Sequence, residues 1–155
     1  MLALIQRVTR AEVRVDGEPL GTIGAGLLAL VAIEPTDGEV QAQRMCERLL
    51  GYRVFADAEG RSNQARMNRS LTQTGGGLLL ISQFTLAANT RKGMRPGFSV
   101  AADPEHGLRC YNRVVEIARM RHAGLGLAGV ETGRFGAHME VELVNDGPVT
   151  FLLKA

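Results

Sequence analysis

The chain has 155 residues, 45 % of them hydrophobic and 22 % charged, the balance of one globular domain large enough to bury an ordinary core without staples. A net charge of +2 permits contact with the end of a nucleic acid and excludes a protein that coats duplexes by charge alone. The longest apolar run, Gly24 to Ile33, is far below the roughly 20 residues that span a bilayer. Met1 to Arg7 is too short an apolar stretch for a signal peptide, so a cytoplasmic single domain over 1–155, intact from Met1 and with no membrane partner, is expected.

Leu2 to Val15 carries Leu4, Val8, Val13 and Val15 in β-rich company and ends at Asp16-Gly17, a hairpin turn signal. Leu20 to Ile33 is expected as the returning strand, apolar on both faces from Leu27 onward, as a central strand is. Pro35-Thr36-Asp37 offers a cap for a helix whose stripe is Val40, Met45, Cys46, Leu49 and Leu50, ending at Gly51. Tyr52 to Ala56 reads as a short strand, and Asp57 to Gly75 as a polar excursion. Cys46 and Cys110 stand far apart with no C-x-x-C, which fits buried reduced thiols rather than a disulfide or metal site.

Gly75 to Leu86 enters as an apolar strand and then brings in Ser82, Gln83 and Thr85 without losing its strand character. Polar groups in a buried strand need partners, so they are either structural or the wall of a site. Arg91, Lys92 and Arg95 follow around Gly93, Pro96 and Gly97, a basic loop that is either solvated or a phosphate-facing rim. Asp103-Pro104 starts a longer helix with Leu108, Tyr111, Val115 and Ala118 on one stripe, closed by Gly124. Near the end, Met139, Val141 and Leu143 alternate with His138, Glu140 and Glu142, and Asn145-Asp146-Gly147-Pro148 then breaks that strand in a tight turn. Glycine allows close backbone approach and proline fixes φ and admits a cis peptide, so this turn is either a plain surface connection or a rigid main-chain wedge lining a pocket.

Several chemistries fail on context. Gly124-Leu-Gly-Leu-Ala-Gly129 matches G-x-G-x-x-G but follows a helix and leads into extended Val130-Glu131-Thr132, the reverse of a dinucleotide site. Ser82 lies outside a G-x-S-x-G elbow and has no histidine near it in sequence. His106, His122 and His138 lack ligand spacing and are expected at the surface or as caps. No metal and no cofactor is expected.

Ser82-Gln83-Phe84-Thr85-Leu86 together with Asn145-Asp146-Gly147-Pro148-Val149-Thr150 resembles the paired signature of the D-aminoacyl-tRNA deacylase family. The resemblance runs end to end, through Ile5-Gln-Arg-Val8, Ile23 to Leu28, Tyr52-Arg-Val-Phe55, Lys92 to Pro96 with Phe98, and Thr132-Gly-Arg-Phe-Gly136. Two departures are a longer Arg61 to Met67 connection and Gly97 where a serine is common.

That resemblance implies a homodimeric esterase that cleaves D-aminoacyl-tRNA, and glycine mischarged on tRNA(Ala), with a cis Gly147-Pro148 wedge that enters the partner's site and excludes L side chains. An aminoacyl ester beside a free ribose hydroxyl is already activated, so positioning and an oxyanion donor suffice. Ser82, Gln83 and Thr85 are the catalytic stretch, with Thr85 positioning rather than attacking. Phe84 and Phe98 are assigned to the terminal adenosine or the pocket's shape, and Arg7, Lys92, Arg95 and Thr150 to the tRNA acceptor end. The expected fold is mixed α/β, a strongly curved, barrel-like sheet with two helices packed outside and the site at a homodimer interface. Two alternatives are a binding module without turnover, and a related editing enzyme with a trans Gly-Pro and relaxed chirality.

Overall fold

The computed structural model describes residues 1–57, 66–91, 93–125 and 128–155. The first strand, β1 (Leu2–Val15), turns at Asp16 and Gly17 with φ of 53° and 82° into β2 (Glu18–Ile23). Positive φ at both positions gives a turn whose twist matches that of the strands, as the Asp-Gly pair predicts. The single returning strand expected over Leu20 to Ile33 is instead two. β2 pairs with the far half of β1, and β3 (Gly26–Ala32) pairs with its near half, Leu2 to Val8.

The break falls at Gly24-Ala25 because β3 must leave β2 to reach β6 (Gly77–Ser82), its parallel neighbour. That approach begins at the paired glycines Gly26 and Gly77, where a Cβ on Gly26 would sit 2.0 Å from the Gly77 carbonyl oxygen. β7 (Val130–Thr132) pairs parallel on β6, and β8 (Glu140–Lys154) runs antiparallel along the whole of β1. The sheet curls until β2 meets β7: a Cβ on Gly21 would lie 3.0 Å from the Thr132 carbonyl oxygen. The result is the mixed, nearly closed barrel that was expected.

Two apolar layers hold it. Inside the barrel lie Val8, Ala11, Val13, Ile23, Leu28, Leu79 and Ile81, with Met139, just before β8, and Val141 and Leu143 on it packed against them. Outside, Ala3, Ile5, Leu27, Ala29, Leu78 and Leu80 face two long helices, α1 (Glu39–Gly51) and α3 (Pro104–Ala123). Between them in sequence, α2 (Leu71–Thr74) adds one turn. The alternation Leu27, Leu28, Ala29 and Leu78, Leu79, Leu80 explains why both strands are apolar on two faces: each face has its own layer.

The helix stripes lie where expected, Met45, Cys46, Leu49 and Leu50 in one and Tyr111, Val115 and Ala118 in the other, except at their first residues, Val40 and Leu108. In α1 the buried residues are Ala42, Met45, Cys46, Leu49 and Leu50, while Val40 is 72 % exposed. In α3 they begin at Gly107 and run through Cys110, Tyr111, Val114 and Ile117, leaving Leu108 at the surface. Gly107 is the small residue that admits Phe135, whose Cζ would lie 3.4 Å from an added Cβ. The cap of α1 is Gly38, not the preceding triplet. Asp37 instead holds the Met1 amine, 2.6 Å from its Oδ1. Past α1, the strand expected over Tyr52 to Ala56 shortens to β4 (Phe55–Ala56), paired with β5 (Met67–Arg69). The longer connection noted at Arg61 to Met67 falls largely in 58–65, outside the described residues.

The turn expected at Asn145 to Pro148 is instead a bulge within one strand. β8 does not end there; it pairs with β1 on both sides, Val8 with Asn145 and Gln6 with Thr150. Four residues, Asp146 to Val149, therefore stand opposite the single residue Arg7. This wide bulge reverses which face the odd residues occupy. Before it Met139, Val141 and Leu143 face the barrel interior; after it Val149, Phe151 and Leu153 face the helices. A second register shift in β1, between Val8 and Arg10, makes the matching exchange there.

Candidate active site

Ser82 is the last residue of β6, and the chain bends immediately after it rather than continuing as a strand to Leu86. Gln83 donates its N-H to the Val31 carbonyl at 2.7 Å, and Phe84–Ala87 forms a 3₁₀ turn closed by Leu86 N-H to Gln83 O at 3.2 Å. The polar residues thus sit at the rim of the sheet, where the pairing of β6 runs out and water is accessible. As the first residues of a helical turn, Phe84 and Thr85 have N-H groups with no intrahelical acceptor. Gln83 Nε2 donates to Thr85 Oγ1 at 2.5 Å, so amide and hydroxyl are held as one unit.

Two adjoining cavities open on this bend and share Ser82, Gln83, Phe84, Phe135 and Gly136. One runs beneath α3 to Val31, Gly107 and Tyr111 and is almost wholly apolar; the other is walled by His138, Met139 and Val141. Phe135 lines both, its ring 5.9 Å from that of Tyr111. Tyr111 donates to the Leu80 carbonyl at 2.9 Å, and burial pushes its phenol above the ordinary range, so it packs and does not exchange protons. Sequence distance hid His138, which the fold brings to the same cavity as Ser82; no hydrogen bond joins the two among the described residues. Phe135, Met139 and Val141 were invisible as site residues because they read as ordinary core and strand positions.

Beside the bend, Phe84 is 60 % and Phe98 41 % exposed, with ring centroids 5.1 Å apart. Asn89 and Gly97 exchange main-chain hydrogen bonds of 2.7 and 3.1 Å, which closes the loop that presents Arg91 and Arg95 to solvent. Lys92 lies outside the described residues. The loop therefore offers an aromatic face next to positive charge, the pairing that receives an unstacked base and its phosphate.

The Gly147-Pro148 peptide is cis, and both residues are exposed at the crest of the β8 bulge. Gly147 has φ of 151°, and a Cβ there would lie 2.5 Å from the Val149 nitrogen, so only glycine fits. Asn145 replaces the missing ladder: its Oδ1 accepts from Val149 N-H at 2.8 Å and its Nδ2 donates to Val149 O at 3.3 Å. Thr150 is engaged from two sides, accepting from Gln6 Nε2 and Asn145 Nδ2, both at 3.2 Å. Arg7, placed by sequence on the tRNA end, is turned toward the bulge, with Nε 3.0 Å from the Asp146 main-chain oxygen and Nη1 2.6 Å from the Val54 oxygen. Neither Gly147 nor Pro148 lines the cavities beside Ser82.

Among the described residues there is no group of three or more His, Cys, Asp or Glu able to hold a metal, and no helix is long and apolar enough to cross a membrane. Cys46 and Cys110 are free and buried, and burial pushes the Cys46 thiol up to about 11. His122 departs from expectation: it is buried, and burial lowers its pKa. The G-x-G-x-x-G stretch falls between α3 and β7, the helix-to-strand order that sets it apart from a dinucleotide site.

The family model described as D-Tyr-tRNA(Tyr) deacylase matches residues 4–154. A D-aminoacyl-tRNA deacylase of Stenotrophomonas maltophilia (strain K279a) is 66 % identical over 154 residues, covering 99 % of each chain. One of Xanthomonas campestris pv. campestris (strain 8004) is 64 % identical over the same length and coverage. Among solved structures, a chain described as c-Myc DNA Unwinding Element Binding Protein superposes with a TM-score of 0.90 at 36 % identity, covering 100 % of this chain and 99 % of that one. A probable eukaryotic D-amino acid tRNA deacylase shares the fold, with a TM-score of 0.83 at 14 % identity over 99 % of this chain and 98 % of that one. With its motifs at the rim of the barrel and on the β8 bulge, and with matches over nearly its whole length, this chain belongs to the D-Tyr-tRNA(Tyr) deacylase family.

Proposed function

We propose that the protein hydrolyses the ester of D-aminoacyl-tRNA, and of glycine mischarged on tRNA(Ala), to free tRNA and amino acid, acting in the cytoplasm as a homodimer without a metal or cofactor. The observation that carries the selectivity is the braced Gly147-Pro148 crest, exposed and absent from the two cavities beside Ser82. A rigid protrusion of main chain that stands clear of the cavities beside Ser82 fits a role in the pocket of a second copy. There its carbonyl oxygens would occupy the space an L side chain needs, and a D side chain would point away.

The catalytic work asked of the pocket is modest. The N-H groups at the start of the 3₁₀ turn are available to an oxyanion, Gln83 positions the carbonyl, and Phe84 and Phe98 receive the terminal adenosine. Thr85 is held by Gln83, and no histidine or carboxylate is hydrogen-bonded to its hydroxyl among the described residues. Attack assisted by the ribose hydroxyl of the tRNA accords with that arrangement. Arg91 and Arg95, with Lys92 from the same loop, supply charge for the acceptor end.

The test is hydrolysis of D-tyrosyl-tRNA against L-tyrosyl-tRNA at sub-stoichiometric enzyme, with a Gly147→Ala, Pro148→Ala variant alongside. Loss of the D ester alone, with discrimination weakened in the variant, is the expected result. A second reading, nucleic-acid binding without turnover, draws on the neighbour described as a DNA unwinding element binding protein. Stoichiometric binding with neither ester consumed would favour it.

A further inference from the structure

We propose that the β4 to β5 ribbon, through Arg53 and Arg66, contacts the phosphate backbone of the tRNA acceptor stem at the pocket that the neighbouring Gly147-Pro148 crest enters. This rests on the aminoacyl-tRNA reading above. The link is Arg7, which donates both to the Asp146 oxygen at the foot of the bulge and to the Val54 oxygen at the foot of the ribbon. Two elements bridged by one side chain move together, so whichever pocket receives the crest also has the ribbon at its rim.

The ribbon's chemistry is that of a phosphate contact. Arg53 lies just before β4 and Arg66 just before β5, where Asp57 N-H donates to the Arg66 carbonyl at 3.2 Å. Both arginines are exposed, and among the described residues neither has a carboxylate partner, in contrast to Arg10, Arg109 and Arg113. Arg69 on β5 is already committed, donating to the Gln73 carbonyl at 2.5 Å. The one acid of the described ribbon, Asp57, accepts from Asn68 at 2.9 Å. The pocket itself can hold an amino acid and a terminal nucleoside; the stem behind them carries a dense row of phosphates that must pass the rim.

The experiment compares wild type with an Arg53→Ser, Arg66→Ser variant on two substrates, D-tyrosyl-tRNA and D-tyrosyl-adenosine, which has no stem. The expected result is a fall of about 10-fold in kcat/KM for the tRNA at low salt and a plot of log kcat/KM against log salt shallower by about one to two units. Hydrolysis of D-tyrosyl-adenosine stays at the wild-type rate. Unchanged kinetics on tRNA, or an equal loss on both substrates, would overturn the contact while leaving the deacylase reading intact. Wild type that cleaves neither ester would remove the activity, and the ribbon's role with it.

Discussion

Arg7 and Asp146 are joined by both kinds of contact available to them: Arg7 Nε lies 3.0 Å from the main-chain oxygen of Asp146 and 3.0 Å from its Oδ2. Arg7 is also the single β1 residue opposite the four-residue bulge, and its guanidinium ties that bulge to the Val54 oxygen. Lysine has one nitrogen and cannot reach both Asp146 and Val54. Arg7→Lys is therefore expected to cost roughly 2 kcal/mol in chemical denaturation. It should also raise the rate on L-tyrosyl-tRNA relative to the D ester. A variant that loses stability but keeps full chiral discrimination would show that the crest does not depend on this anchor.

Thr85→Ala should retain kcat within about 10-fold of wild type if, as proposed, the hydroxyl that accepts from Gln83 positions rather than attacks. Single-turnover hydrolysis of D-tyrosyl-tRNA measures it. A drop of several orders of magnitude with tRNA binding intact would make Thr85 the nucleophile.

Gly26→Ala is expected to destabilise the fold by about 3 kcal/mol, since the added carbon meets the Gly77 main chain, which cannot move without parting β3 from β6. Gly24→Ala, two residues earlier, has nothing within 4 Å and serves as the control. Urea denaturation of the pair should separate them clearly; equal midpoints would mean that the strand junction yields.

His122 is 2 % exposed, and neither ring nitrogen has a hydrogen-bond partner among the described residues. Burial lowers its pKa, so it stays neutral in the folded chain at a pH where the unfolded chain already takes up a proton. Stability should therefore decline as pH falls below about 6.5, the ordinary value for a free histidine. His122→Leu should add about 1 kcal/mol at pH 7 and a larger gain at pH 5. Thermal melts across that range decide it, and a gain that shrinks on acidification would contradict the assignment.

The fold was legible wherever a pattern is local. The hairpin at Asp16-Gly17, the two-faced strands at Leu27 to Val31 and Leu78 to Ile81, and both long helices follow from turn chemistry and periodicity. What escaped depends on partners far along the chain. Nothing local marks Gly24-Ala25 as a strand break, because the reason is Gly77, and nothing in Asn145 to Pro148 tells a turn from a bulge, because the difference is whether β1 continues alongside. The site divided the same way. Ser82, Gln83 and Phe84 stood out by motif and do meet at one cavity, whereas His138 and Phe135 reach it only through the curl of the sheet. Arg7, expected at the tRNA end, contacts Asp146 and the Val54 oxygen within the chain, partners that no local pattern indicates.

The β8 bulge also constrains how this protein can vary. Because it adds an odd number of residues to one strand, it decides whether Val149, Phe151 and Leu153 land under the helices or inside the barrel. Shortening or lengthening it by a single residue would turn three core side chains inside out along with the crest. Under the proposed wedge role, substitutions at the tip retune what the pocket tolerates, but the length of the bulge is locked to the packing of the whole C-terminal strand. The bulge is therefore open to changes of letter but closed to gains or losses of a single residue.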